Sequence, residues 1–163
     1  MMCFERSIPR CCRQNGGRSI EDFDDTDLDR YAGVVVAASI HANRYSAALT
    51  DFARANAGKL NSRPTLLISL SLTAAGHDAD DWIELKYIEA ALEDATGWHP
   101  TAIEQVAGAY QPSKYDVFTR FVMRRIIAEK DPDANVDADC EYTDWARLDA
   151  AVDAWKTANR LEE

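Results

Sequence analysis

From residue 33 onward, apolar and polar positions alternate between two rhythms. Gly33 to Ser39, with three successive valines, has the length and β-branching of a buried strand. Tyr45, Ala48, Leu49, Phe52 and Ala53 then recur at helical spacing, with Gly58 as the expected stop. Pro64 opens a second apolar run, TLLISLSL, which closes in the small polar turn TAAGHD. Asp80 or Asp81 is placed to cap the next helix, whose Leu85, Ile88, Ala91, Leu92 and Ala95 share one face before Gly97. Ala102 to Gly108 reads as a third strand. Thr143 is the expected cap of a last helix, where Trp145, Leu148, Val152 and Trp155 form one stripe that reads as core.

Strands that alternate with helices imply right-handed crossovers and a parallel sheet covered on both faces, the doubly wound α/β class. Ligands of such sheets bind beyond the carboxyl ends of the strands. Here those ends are rich in small and hydroxyl residues: Ala38-Ser39-Ile40-His41, Ser71-Leu72-Thr73-Ala74 and Gly108-Ala109-Tyr110. Backbone can approach a planar ligand closely at such places, and the same small residues also serve tight turns.

Composition narrows the partners. With 47% hydrophobic and 28% charged residues in 163, the chain is globular and of one-domain size. No apolar run approaches the ~18 residues of a membrane span. A net charge of -10 excludes general nucleic-acid binding, which rests on Lys and Arg against phosphates. Cys3, Cys11, Cys12 and Cys140 have neither zinc-site spacing nor the density of a disulfide framework, so no metal is expected and a reducing cytoplasm is the default.

The segment before residue 28 stands apart. Residues 1 to 20 hold four arginines, and Pro9 and Gly16-Gly17 interrupt any amphipathic helix. EDFDDTDLD then swings acidic. Asp25, Asp27 and Asp29 imitate the start of a calcium loop, but Arg30 stands for its turn glycine and Val36 for its bidentate Glu. Residues 1–27 are therefore expected to be irregular and disordered, and 28–163 to form the domain.

Taken in order, AASIHANRY, LNSRP with its strand and SLSL, WHP, AGAY, KYDVFTRFVMRRII and EYTDW resemble the flavodoxin-like, menaquinone-dependent protoporphyrinogen oxidases, over residues 28 to 158. The resemblance implies FMN held at the strand ends, electrons taken from protoporphyrinogen IX, and menaquinone or another quinone as acceptor in haem biosynthesis. It assigns the flavin contacts to Ser39, Ile40 and His41, to Ser71, Leu72 and Thr73, and to Gly108, Ala109 and Tyr110. His41 can bond the flavin edge or a substrate carboxylate, or be an ordinary surface residue. Tyr110 is the residue expected to lay a ring on or beside the flavin, with covering the sheet end as the alternative. Arg44 suits a propionate by bidentate geometry, with an ordinary exposed arginine in a helix's first turn as the alternative.

Lys114 to Lys130 carries five cations (Lys114, Arg120, Arg124, Arg125 and Lys130) against Asp116 and Glu129 in an otherwise acidic chain. With Phe118, Phe121, Val122, Ile126 and Ile127 it reads as an amphipathic helix that docks on the inner face of the cell membrane, or that packs on the sheet. The chain departs from the family pattern at its start. Phe4, Ile8, Phe23, Leu28 and Tyr31 are scattered without period, and QNGGRS follows no strand, so the phosphate-binding strand, loop and helix are expected to be missing. The strand at 33–39 would then be an apolar edge, and FMN binding weak or absent. Three functions stay open: the FMN-dependent oxidase, a non-catalytic flavodoxin-like interaction module, and a generic flavodoxin electron carrier.

Overall fold

Three parallel strands set the frame in the computed structural model, which describes residues 19–20, 28–75, 79–111, 113, 125 and 135–161. β1 (Val34–Ser39) lies beside β2 (Thr65–Leu70), in register from Val34 with Thr65 to Ser39 with Leu70. β3 (Ala102–Val106) joins the other side of β2, from Leu66 with Ala102 to Leu70 with Val106. The order is β1-β2-β3, so among the described residues β1 is an edge and β2 the centre. The first five residues of β2 are all buried. That continuous apolar run is what a strand covered on both faces requires.

Side-chain alternation divides the core in two. Val36, Ala38 and Leu67 face α1 (Ala47–Asn61) and α2 (Ala79–Thr96), which bring Leu49, Ala53, Leu60, Ile88 and Leu92 to the same cluster. Leu66, Ile68 and Val106 face α3 (Trp145–Ala158) on the opposite side, through Leu148, Val152 and Trp155. This is the expected flavodoxin-like doubly wound α/β class: a parallel sheet with helices on both faces. Leu28 and Ile20, ahead of β1, pack into the first cluster.

Several boundaries differ from expectation. α1 passes Gly58 and ends at Asn61, because Leu60 is fully buried and its burial outweighs the ~1 kcal/mol helix penalty of glycine. Tyr45 lies outside the helix, and Ser46 caps it by accepting from Leu49 N at 3.2 Å. Asp80 and Asp81 sit in the first turn of α2, where their charge suits the helix dipole, and are not the cap. Ala91 and Ala95 are exposed, while Gly97 closes the helix at φ 71° as expected. Asp144, and not Thr143, caps α3, accepting from Arg147 N at 2.9 Å. β3 stops at Val106; Gly108, at φ 73°, turns the chain so that β4 (Ala109–Tyr110) pairs antiparallel with β5 (Cys140–Glu141). Of the expected helix over 114–130, only the exposed Arg125 is among the described residues.

One arginine organises the approach to β1. Arg63 donates to the carbonyls of Leu28, Tyr31 and Lys59 and pairs with Asp29 at 3.1 Å, its side chain only 14% exposed. The guanidinium fork thus fastens the 28–31 segment to the end of α1. Arg63→Met keeps the apolar stem and removes every one of these bonds. Urea denaturation should show a loss of about 2 kcal/mol with an unchanged slope; a loss below about 0.5 kcal/mol would mean that the segment is held by Leu28 alone.

Candidate functional site

Register brings the three strand ends to one edge. Ile40 N donates to Leu70 O at 2.8 Å and Ser71 N to Val106 O at 2.9 Å, so sheet pairing continues one residue beyond β1 and β2. The segments starting at Ile40, Ser71 and Ala107 therefore leave the sheet side by side. After β1 the chain reverses at once: His41 N donates to Arg44 O at 2.9 Å and Arg44 N to His41 O at 3.3 Å. The central residues Ala42 and Asn43 have φ 49° and 59°, the left-handed pair of a type I′ turn. For Ala42 that conformation costs about 1–2 kcal/mol. Asn43 offsets part of it by donating its amide to Glu84 in α2. After β2, Ser71 Oγ accepts from Thr73 N at 3.2 Å and Ala74 N donates to Ser71 O at 2.9 Å, starting a short 3₁₀ turn over Leu72–Ala75.

Ser39, His41 and Arg44 are exposed at this edge, and Ile40, Ser71, Leu72, Thr73, Gly108 and Ala109 are half-buried. Two expectations need correction. Tyr110 is fully buried and its hydroxyl donates to Val136 O at 2.9 Å, so its ring covers the sheet end and does not present a face for stacking. The loop amides are also less open than small residues suggested, because those of Ile40, His41, Ser71 and Thr73 are bonded within the protein. What remains for a ligand's polar edge is the hydroxyls of Ser39 and Thr73, the His41 ring and the Arg44 guanidinium, since Gly108 O accepts from Tyr142 N at 3.0 Å and Ala109 is paired with Glu141. Lys114, Arg120 and Arg124 lie outside the described residues; Arg125 is exposed.

A polar group under this edge went unread in the sequence. Tyr45 OH donates to the buried Ser69 Oγ at 2.9 Å, and Gln105 Nε2 donates to Glu89 in α2. The signal was there: Ser69 and Gln105 are polar residues at core-facing positions of TLLISL and AIEQV, in phase with Leu67 and Ile103. Burial pushes the Tyr45 phenol above its ordinary 10.0, the Ser69 bond pulls it down, and the Glu89 charge pushes it up again.

A doubly wound sheet with turns and small residues at its carboxyl edge defines a flavodoxin-like α/β domain. The chain belongs to the flavodoxin domain family, whose model matches residues 10–137. It is similar to the Escherichia coli (strain K12) protein named protoporphyrinogen IX dehydrogenase [quinone], with 25% identity over 130 residues, 80% of this chain and 71% of that one. A Leishmania major protein of the same name is 27% identical over 129 residues, 79% of this chain and 55% of its own length. No solved structure matches the chain. The family resemblance carried by the motifs from AASIHANRY to EYTDW is thus borne out. Among the described residues no helix is long and apolar enough to cross a membrane.

The Tyr45 shift sets the sign of a pH effect. The folded chain keeps a phenol proton that the unfolded chain gives up near 10.0. The contribution of Tyr45 is therefore fully present below that value and is lost as pH rises above it. Urea midpoints at about pH 8 and about pH 10.5 should fall further for the parent than for Tyr45→Phe; equal falls would mean that Tyr45 titrates as it does when unfolded.

Proposed function

We propose that the chain is a flavin-dependent oxidoreductase that takes electrons from protoporphyrinogen IX and passes them to a quinone, menaquinone or another, with FMN at the carboxyl edge of β1, β2 and β3. The observation that carries this reading is the convergence of three small-residue segments on one sheet edge; the name shared by the two relatives supports the substrate and the acceptor. The residues present fit the ring part of the group. Ser39 and Thr73 offer hydroxyls, and Gly108-Ala109 offers close backbone approach without a bulky side chain. FMN, when bound, supplies the electron transfer itself. The chain's own residues seat the ring, and Arg44, with no ion-pair partner among the described residues, meets a substrate carboxylate by a charge-assisted bond. His41 is paired with Arg44 by two backbone hydrogen bonds across the same turn.

The phosphate part of the group is served less well. With the amides of Ile40, His41, Ser71 and Thr73 bonded internally, these loops offer no cradle of the kind that anchors a phosphate. Binding of FMN is therefore weak in this reading. The same observation favours a second reading, a non-catalytic interaction module. Gel filtration should strip FMN from the purified chain, while saturating FMN should give quinone-dependent oxidation of protoporphyrinogen IX. Arg44→Ala should then raise KM by about tenfold with little change in kcat. No oxidation at saturating FMN and quinone would leave the module reading in its place.

Access to a quinone suggests a membrane surface, and the basic segment containing Lys114, Arg120, Arg124 and Arg125 is the proposed contact. Each cation near an anionic surface contributes about 1 kcal/mol. Reversing Arg120, Arg124 and Arg125 to Glu should nearly abolish sedimentation with anionic vesicles at low salt. Sedimentation indifferent to that reversal would reject the contact.

A further inference from the structure

Below the carboxyl edge, on the face covered by α1 and α2, four polar side chains interrupt the core: Tyr45, Ser69, Glu89 and Gln105. Ser69 and Gln105 are register partners in adjacent parallel strands, so their side chains leave the sheet on the same face as direct neighbours. Ser69 is fully buried and Tyr45 is 7% exposed. Two hydrogen-bonding functions are left over in this cluster. Ser69 Oγ accepts from Tyr45 OH, and its own hydrogen has no acceptor among the described residues. Gln105 Oε1 is shut off from solvent and has no donor. The two leftovers are complementary, yet they do not bond each other.

Turning the Gln105 amide over does not repair this. It would place Oε1 against the Glu89 carboxyl oxygen, acceptor facing acceptor, so the contact with Glu89 fixes the amide as it stands. Glu89 accepts from Gln105 Nε2, which places its carboxylate at the other end of the same amide. A buried donor and a buried acceptor, both idle and side by side, are the setting in which proteins hold an internal water, which takes about three hydrogen bonds.

We propose that one structural water is bound between Ser69 Oγ and Gln105 Oε1. It accepts the Ser69 hydrogen, donates one of its own to Gln105 Oε1, and turns the other toward Glu89, whose carboxylate has acceptor capacity to spare. A continuous chain then runs Tyr45, Ser69, water, Gln105, Glu89. Tyr45 directly follows the 41–44 turn, and Asn43 within that turn is tied to Glu84 of the same helix. The turn after β1, the carboxyl ends of β2 and β3, and α2 are thereby held at one spacing by polar bonds, whatever ligand the edge takes.

A high-resolution crystal structure of the full chain tests the site directly, and Ser69→Ala, Gln105→Met and the double variant test its energetics. A full-occupancy water within hydrogen-bond distance of both atoms is expected. Each single variant should favour unfolding by about tenfold in the equilibrium constant, and the double variant by clearly less than the product of the two, because either substitution alone already removes the shared water. Amide exchange at Ser71 and Thr73 should quicken about fivefold in each single variant while Leu66 to Ile68 stay unchanged. A direct Ser69–Gln105 bond, or dry space between the two atoms, overturns the proposal. So do single-variant effects that simply add in the double. Should the variants fail to fold, the parent crystal structure alone decides.

Discussion

Everything at the carboxyl edge depends on a clip at the opposite end of the sheet. Thr65 opens β2 and Thr101 precedes β3, and the two bond each other three times: Thr65 N to Thr101 Oγ1 at 2.9 Å, Thr101 Oγ1 to Thr65 O at 2.6 Å, and Thr101 N to Thr65 Oγ1 at 3.3 Å. Two indoles add to it. Trp98 Nε1 donates to Thr65 Oγ1 at 3.2 Å, and Trp155 Nε1 donates to Thr101 Oγ1 at 3.4 Å. Trp98 belongs to the cluster under α1 and α2, and Trp155 to the cluster under α3. The clip therefore joins both cores and pins β2 to β3 at a single register. A slip of one residue would turn every side chain of β3 to the wrong face.

That register is what places Ser69 beside Gln105 and Leu70 beside Val106, and so levels the strand ends from which the ligand segments depart. The left-handed Ala42-Asn43 pair sits where the sheet has already been fastened, and its cost is tolerable because Asn43, Tyr45 and the His41–Arg44 pair each hold the turn from a different side. The arrangement is that of a rigid platform carrying a small number of constrained turns, which is how α/β folds usually present ligand sites.

The strands, their order of appearance and the core stripe of α3 could be read from the chain because β-branching, run length and helical spacing act locally. The misreadings share a different cause, which is long-range partnership. Gly58 looked like a stop because the burial of Leu60 depends on β1 and β2. Thr143 and Asp144 are both good caps, and only the path of the chain into α3 selects Asp144. Tyr110 suggested a stacking ring, whereas Val136, far along the chain, takes its hydroxyl. Arg63 gave no sign of its role, since three of its partners lie 32 to 35 positions away. The small residues at the strand ends were legible in the chain, but which of their amides stay open depends on hydrogen bonds that only folding reveals.

The clip also decides what light can report about this molecule. Trp98 is fully enclosed and Trp155 is 7% exposed, and both indole N–H groups are bonded to threonine hydroxyls at the amino end of the sheet. Two of the chain's four tryptophans thus sit in dry, fixed surroundings far along the strands from the turns. Their emission is an internal gauge of strand register: it shifts only when β2 and β3 part, and it stays silent while the turns at the other end rearrange. Spectral changes that arise without loss of the sheet must come from the half-buried Trp82 and Trp145, which makes those two indoles the natural probes of the carboxyl edge and its flanking helices.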